Sequence, residues 1–182
     1  MRDFAVLMDG AGRLSSFLSC GDDGAIKQWN TSFQCVLAKR AHRGPIRAML
    51  TTVIPQVGTF VITGSDDTYI NIWEVGDRVL QPVARVPCLV GVTSLHAVTL
   101  QEERTKNGAP VLVTFQALLS GHSDGSIRIW SMENLRALRS MCLLSGHTAA
   151  VRTLIVSPPY FVSGSYDNTI VVWSPESFRV VA

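Results

Sequence analysis

The chain is poor in charge, it has only four cysteines, and it has no long apolar run. Charged residues make up 16% of the 182 and hydrophobic ones 47%. That balance excludes a disordered, solvating chain and allows a substantial core. The net charge of +2 is too small to point to nucleic acid or membrane. Cys20, Cys35, Cys88 and Cys142 are the only cysteines, and no two are close. They supply neither the paired spacing of a zinc site nor the dense pattern of a small disulfide scaffold, so buried, reduced thiols in an intracellular protein are expected. Apolar stretches are broken by Asp, Arg, Gly or Pro well short of the roughly 20 residues of a membrane span. Asp3 and Asp9 interrupt the start of the chain, which argues against a signal peptide.

Several chemical signatures are missing as well. There is no phosphate-binding G-x4-G-K-[ST] loop and no G-x-S-x-G; the stretch 119–123 (LSGHS) shares only letters with the latter. Asp22-Asp23-Gly24 and Asp66-Asp67 lack the ligand loop with its terminal Glu that a calcium site needs, so hairpin turns explain them better. His96 and His122 have no partner at ligand spacing. No metal and no cofactor are expected.

What is present is one phrase said four times. A hydroxyl residue, an aspartate four residues later and a tryptophan ten residues later recur as Ser19/Asp23/Trp29, Thr63/Asp67/Trp73, Ser120/Asp124/Trp130 and Ser163/Asp167/Trp173. All four tryptophans of the chain stand at this one position, 44, 57 and 43 residues apart. A period near 40–45 residues suits four short strands per unit. β-branched runs bounded by turn residues predict strands a to d in each unit. In the first they fall at 3–8, up to 19, 25–29 and 34–38, with a turn at 9–12. The second has strand a at 46–53, a loop at 55–58, strands b and c ending at Thr63 and Trp73, and strand d at 81–86. The third starts near Val92, with strand b at 111–120, strand c ending at Trp130 and strand d at 137–143. Its polar stretch 101–110 (QEERTKNGAP) accounts for the extra length and predicts a loop insertion between strands a and b. In the fourth, strand a spans 151–157, a Pro158-Pro159 turn follows, strands b and c run through Trp173, and a short strand d covers 178–181.

These residues resemble the WD40 β-propeller repeats, over essentially the whole chain. Gly146-His147 matches the family's Gly-His element before strand a, and Ala41-His42 nearly so. The resemblance implies an all-β WD40-type propeller of four four-stranded antiparallel blades, at about 1–41, 42–87, 88–145 and 146–182. It also implies a structural tetrad joining His, hydroxyl, Asp and Trp: His42, Thr63, Asp67 and Trp73 in one blade, His147, Ser163, Asp167 and Trp173 in another. Partial tetrads are expected from Ser19, Asp23 and Trp29 and from Ser120, Asp124 and Trp130. The first unit has no His before it, and Cys88 stands where the third unit's His belongs. Asn30, Glu74, Ser131 and Ser174 replace the Asp that gives the family its name. Family propellers usually close with more blades, so a partial, open or truncated propeller is expected. Its bare ends call for further blades or another chain, unless four blades close on themselves.

For function, Ser, His and Asp together suggest nucleophilic catalysis only when one copy is read alone; repetition with Trp makes them structural. Arg2, Arg47 and Arg152 share one position at the start of strand a, with Thr93 in the other unit. The resemblance brings that position, and the one before each turn Asp (Asp22, Asp66, Ser123 and Tyr166), to a face used for partners. A ring of Arg with Asp and Tyr suits polar peptide recognition, and Arg–Asp pairing within the rim is an equal alternative. The expectation is therefore a non-catalytic scaffold binding other proteins, in cytoplasm or nucleus. RNA binding through the basic cluster Lys39, Arg40, Arg43 and Arg47 is the other reading, though no aromatics interleave with it.

Overall fold

Tight b–c hairpins set the architecture. In each unit the residue after the turn aspartate has a positive φ: Gly24 at 69°, Thr68 at 71°, Gly125 at 87° and Asn168 at 65°. Its N–H returns to the carbonyl three residues earlier at 3.2 Å in all four turns. The computed structural model describes residues 1–8, 11–54, 57–106, 109–175 and 177–182, with backbone alone at 102, 104, 106 and 109. Parts of the expected turns at 9–12 and 55–58, and the apex of the 101–110 stretch, lie outside the described residues.

The described residues form fifteen strands and four antiparallel meanders. The first blade is β1 (Asp3–Met8), β2 (Leu14–Cys20), β3 (Ala25–Asn30) and β4 (Cys35–Arg40). The second is β5 (Ile46–Ile54), β6 (Gly58–Ser65), β7 (Tyr69–Gly76) and β8 (Val79–Pro87). The third is β9 (Val92–Lys106), β10 (Ala109–His122), β11 (Ser126–Ser131) and β12 (Arg139–Ser145). The fourth holds β13 (Val151–Ser157), β14 (Tyr160–Ser165) and β15 (Ile170–Trp173). All four are all-β sheets in sequence order, each strand paired with its neighbour in the chain.

Two expectations are corrected. The 101–110 insertion is not a loop: β9 and β10 run through it as 15- and 14-residue strands. Gln101, Glu103, Thr105 and Pro110 are exposed, so the polar, charged composition that reads as a loop also suits a solvated hairpin. The fourth blade has three strands, and 178–182 adds a bridge from Val180 to Trp173 with backbone hydrogen bonds between Val172 and both Val181 and Ala182, and between Ser174 and both Phe178 and Arg179. The buried thiols are also only partly as expected. Cys20 and Cys88 are buried, Cys35 is exposed and Cys142 half-buried, all four free. Burial, then Asp3, pushes the Cys20 thiol up to about 12.

The chain forms two compact units, 1–95 and 96–182. In the first, Leu7, Leu18, Cys20 and Ile26 of the first blade pack on Ile46, Met49, Val61, Trp73 and Leu80 of the second. Val92, at the start of β9, lies so close to Gly64 that a Cβ there would meet it at 2.4 Å. In the second unit, Leu119, Ile127, Ile129 and Leu144 of the third blade pack with Val151, Leu154, Phe161, Val171 and Trp173 of the fourth. Period-2 alternation produces these layers: alternate residues of a strand point to opposite faces of the blade, and one of those faces meets the neighbouring blade of its unit. Each fully buried Leu or Ile contributes roughly 1.5–3 kcal/mol, so a blade is stable only when stacked.

The positive φ at the turns is dictated by the hairpin and not by glycine, because Thr68 adopts it too. A β-branched residue there carries a strain of about 1–2 kcal/mol. Thr68→Asn, which copies Asn168, is expected to raise the unfolding free energy by about 1 kcal/mol in urea titration. Gly125→Ala is expected to lower it by about 2 kcal/mol or more, since its Cβ would sit 2.5 Å from the His147 carbonyl oxygen.

Candidate functional site

The register of the b–c hairpin explains the ten-residue spacing. Thr63 pairs with Asn71 and Val61 with Trp73; Ser163 pairs with Val171 and Phe161 with Trp173. Ser19 with Lys27 and Ser120 with Arg128 repeat the pattern. The hydroxyl and the tryptophan are thus diagonal neighbours on one sheet face, within reach of a long side chain. In every blade the indole N–H donates to the hydroxyl: 2.8 Å to Ser19, 3.4 Å to Thr63, 2.8 Å to Ser120 and 2.8 Å to Ser163.

In the second blade, Nε2 of His42 lies 2.8 Å from Thr63 Oγ1 and Nδ1 lies 3.0 Å from Asp67 Oδ1. In the fourth, Nε2 of His147 is 2.7 Å from Ser163 Oγ and Nδ1 is 3.0 Å from Asp167 Oδ2. Donors and acceptors balance with a neutral imidazole protonated on Nδ1. Indole N–H donates to hydroxyl, hydroxyl to Nε2, and Nδ1–H to carboxylate. The carboxylates also accept backbone N–H groups from Arg43 and Tyr69, and from Thr148 and Thr169. Each network therefore ties the d–a loop to the next b–c hairpin.

Electrostatics agree with that inventory. Burial pushes the His42 imidazole below its ordinary value, outweighing the opposing pull of Asp67; Arg85 adds to the lowering. Asp67 is held below the usual carboxylate range: burial works against this, and the N–H of Arg43, His42 and the N–H of Tyr69 overcome it. The Thr169 hydroxyl, with the N–H of Thr148 and Thr169 and with His147, pulls Asp167 well below that range.

The Ser–His–Asp connectivity has the geometry of a hydrolase triad. Burial removes the chemistry. Thr63, Ser120 and Ser163 are each 0% exposed, and each hydroxyl oxygen already accepts an indole N–H. No substrate carbonyl reaches them.

The other two blades differ. In the first, Asp23 accepts the Ala25 N–H at 3.1 Å and the Lys27 ammonium at 2.9 Å. In the third, Cys88 occupies the histidine's backbone place: its N–H meets the Thr68 carbonyl at 2.9 Å, as the His42 N–H meets Gly24 at 3.0 Å. The expected gap in that network is filled from elsewhere. His122 Nε2 lies 2.9 Å from Ser120 Oγ, and the ring is fully buried. Sequence reasoning set His122 aside as lacking a metal partner. Its spacing of two from Ser120 on one strand, which puts both on one face, was the available signal. Asp124 bonds Ser126 instead, through N–H at 3.0 Å and hydroxyl at 2.7 Å.

The strand-a arginines owe their direction to a feature the sequence does not display. Ile46 pairs with Ser65 and Ala48 with Gly64, leaving Arg47 as the extra residue of a bulge; Arg152 is bulged between Val151 and Thr153 in the same way. A bulge re-aims its side chain. Here it turns the guanidinium toward the residue before the turn aspartate. Arg47 Nε donates to Asp66 at 2.8 Å and its Nη1 to Asp22 at 3.3 Å. Arg2 Nε lies 2.9 and 3.0 Å from the two Asp22 oxygens. The Arg2 hydrogen bond, with Arg2 and Arg47 charges, holds Asp22 below the ordinary carboxylate range. In the other unit, the Arg152 guanidinium lies 4.9 Å from the centre of the Tyr166 ring. The Arg–Asp pairing expected as the alternative occurs in one unit, and the other holds an Arg–Tyr contact. Thr93 is buried.

Much of the basic cluster is engaged inside the protein. The Lys39 ammonium donates to the Leu80 carbonyl at 2.6 Å and lies 4.9 Å from the centre of the Trp73 ring. Arg40 Nε reaches the His42 carbonyl at 3.4 Å, and Arg47 is ion-paired. Among the described residues no group of three or more His, Cys, Asp or Glu is placed to hold a metal. No helix among them is long and apolar enough to cross a membrane.

Two measurements check the networks. Ser163→Ala leaves the Trp173 N–H and His147 Nε2 without their shared partner, so it should cost about 1–3 kcal/mol in denaturant titration. The second concerns pH. The unfolded imidazole takes a proton near 6.5, and folded His42 only at lower pH. Between those values the unfolded state binds more protons, so stability falls as pH drops from about 7 and levels off below the folded value. Asp67 adds a loss only below its unfolded value of 3.8. Burial lowers His96 as well and adds to the same window, so His42→Gln should reduce the pH 7 to 5 slope without abolishing it and leave the more acidic part in place.

Residues 33–74 and 138–174 match the WD40 family model, described as WD domain, G-beta repeat. Relatives include mitochondrial division protein 1 of Saccharomyces cerevisiae, strains YJM789 and ATCC 204508 / S288c. Each is 27% identical over 179 aligned residues, covering 82% of this chain and 22% of the relative. The chain thus spans about a fifth of those relatives' length. Four repeats of one antiparallel sheet, with the same indole–hydroxyl bond in each, are similar to the WD40-repeat β-propeller family, whose model matches two of the four.

Proposed function

We propose that the chain is a non-catalytic scaffold that binds partner proteins through the edge carrying the strand-a arginines and the residues before the turn aspartates. Propellers of this family generally bind other proteins, and rigid strands that present varied turn residues suit that role. The observation that carries the reading is the repeated bulge, which in both units aims an arginine at an exposed turn residue. Tyr166 is 65% exposed beside Arg152. Arg and Tyr are the residues that interface hot spots favour. The Arg2–Asp22 pair is also open to water, where solvent screens an ion pair and leaves it weak. A partner's carboxylate or carbonyl can therefore compete for the guanidinium at little cost.

Burial of every tetrad hydroxyl supports a role without catalysis. The four free cysteines fit a reducing compartment, cytoplasm or nucleus. RNA binding is the weaker reading, because Lys39, Arg40 and Arg47 already donate within the protein. Mitochondrial division belongs to the yeast relatives' name; the likeness supports the repeats and nothing finer.

Affinity capture with the intact chain tests the proposal. Proteins retained by the wild type should be lost with Arg47→Glu plus Arg152→Glu and kept with Arg43→Glu. Retention unchanged by the double substitution would sink the reading. Capture of RNA instead, with an affinity that falls steeply as salt rises, would replace it with the alternative.

A further inference from the structure

Two blade faces are exposed in this structure, and each is the counterpart of a face that is covered elsewhere in it. On the first blade, Phe17 and Trp29 stack with centroids 6.3 Å apart and planes 9° apart. The fourth blade carries the same stack, Phe161 on Trp173, at 5.9 Å and 7°. There it is sealed, at 1% and 2% exposure, within a core that holds Leu119, Ile127 and Ile129 of the third blade. On the first blade it opens into a shallow cavity of about 530 Å³ with Phe4, Val6, Leu14 and Phe33 around it. Phe4 is 62% and Phe33 78% exposed. Lys27 lies on this face as well, its ammonium held by Asp23.

The structure also shows what fits such a face. In the first unit, the opposite, aliphatic side of the first blade (Leu7, Leu18, Cys20 and Ile26) packs against Val61 and Trp73, which match Phe17 and Trp29 by register. The register carries that aliphatic side to Ile155, Val162, Ile170 and Val172 of the fourth blade. Ile155 is 55% and Ile170 72% exposed, and Val162 and Val172 are half-buried. One open face is therefore an aromatic socket, the other the aliphatic surface that fills such sockets twice in this chain. The aliphatic set carries no charge, and Lys27 on the aromatic face is ion-paired with Asp23.

We propose that this chain self-associates head to tail, the Ile155/Val162/Ile170/Val172 face of one copy seating on the Phe4/Val6/Phe17/Trp29 face of another. The two faces differ, so the contact is heterologous, and it closes into a ring or extends according to the rotation between copies. Each contact removes an apolar blade face from water, which is what the two internal blade–blade packings do.

Sedimentation velocity on the 182-residue chain tests this. The wild type should show a mass at least twice the monomer's, falling on dilution. Phe4→Asp and Ile170→Asp change exposed side chains, so each variant should keep the wild-type circular dichroism and sediment as a monomer. An equimolar mixture of the two should form a 1:1 dimer and nothing larger, because one intact socket then meets one intact aliphatic face. A wild type that stays monomeric at every concentration overturns the proposal. So does a mixture of folded variants that fails to associate, or a single variant that assembles like the wild type.

Discussion

In every blade an indole N–H donates to a hydroxyl ten residues earlier, across one b–c hairpin. Both groups are polar, and in three of the blades both are buried. Unpaired in a low-dielectric interior, each would cost on the order of 1–3 kcal/mol. The bond holds only if the hairpin keeps a register in which tryptophan and hydroxyl are diagonal neighbours. A slip of one residue would send the two to opposite faces and expose the aliphatic side of strand c. The register therefore fixes which face of each blade is aromatic and which aliphatic, and with that how blades stack.

Histidine extends this constraint beyond one sheet. Where His42 and His147 are present, the chain entering a blade is fastened to that blade's hairpin through a buried carboxylate. The third blade keeps the hydroxyl–imidazole contact with a histidine from its own strand, His122. The first blade puts Lys27 on its aspartate at the surface. The four copies thus share one bond, and they differ in what fastens the blade to its neighbour.

What differs between copies is also where recognition is placed. The bulged arginines and the turn residues they meet stand outside the buried network, at positions whose identity the sheet tolerates. Asp22 and Asp66 make ion pairs in one unit, and Tyr166 makes an aromatic contact in the other. Weak, exposed pairs leave the stability of the sheets largely untouched, so these positions are free to serve a partner.

The spacing of four tryptophans was enough to establish the repeat and its members Thr63, Asp67, Trp73, Ser163, Asp167 and Trp173, which depend on local periodicity and on hairpins of fixed length; the resemblance to the WD40 family added His42 and His147. Composition misled where two structures share one composition: 101–110 is polar because its strands are solvated, not because it is a loop. The bulges at Arg47 and Arg152, and the use of His122 in place of Cys88, could come only from the tertiary structure. Each depends on how a strand pairs with its neighbour or on which side chain fills a buried vacancy. Exposure of Phe4 and Ile170 belongs to the same class, because an apolar strand face looks alike in sequence whether or not another sheet covers it.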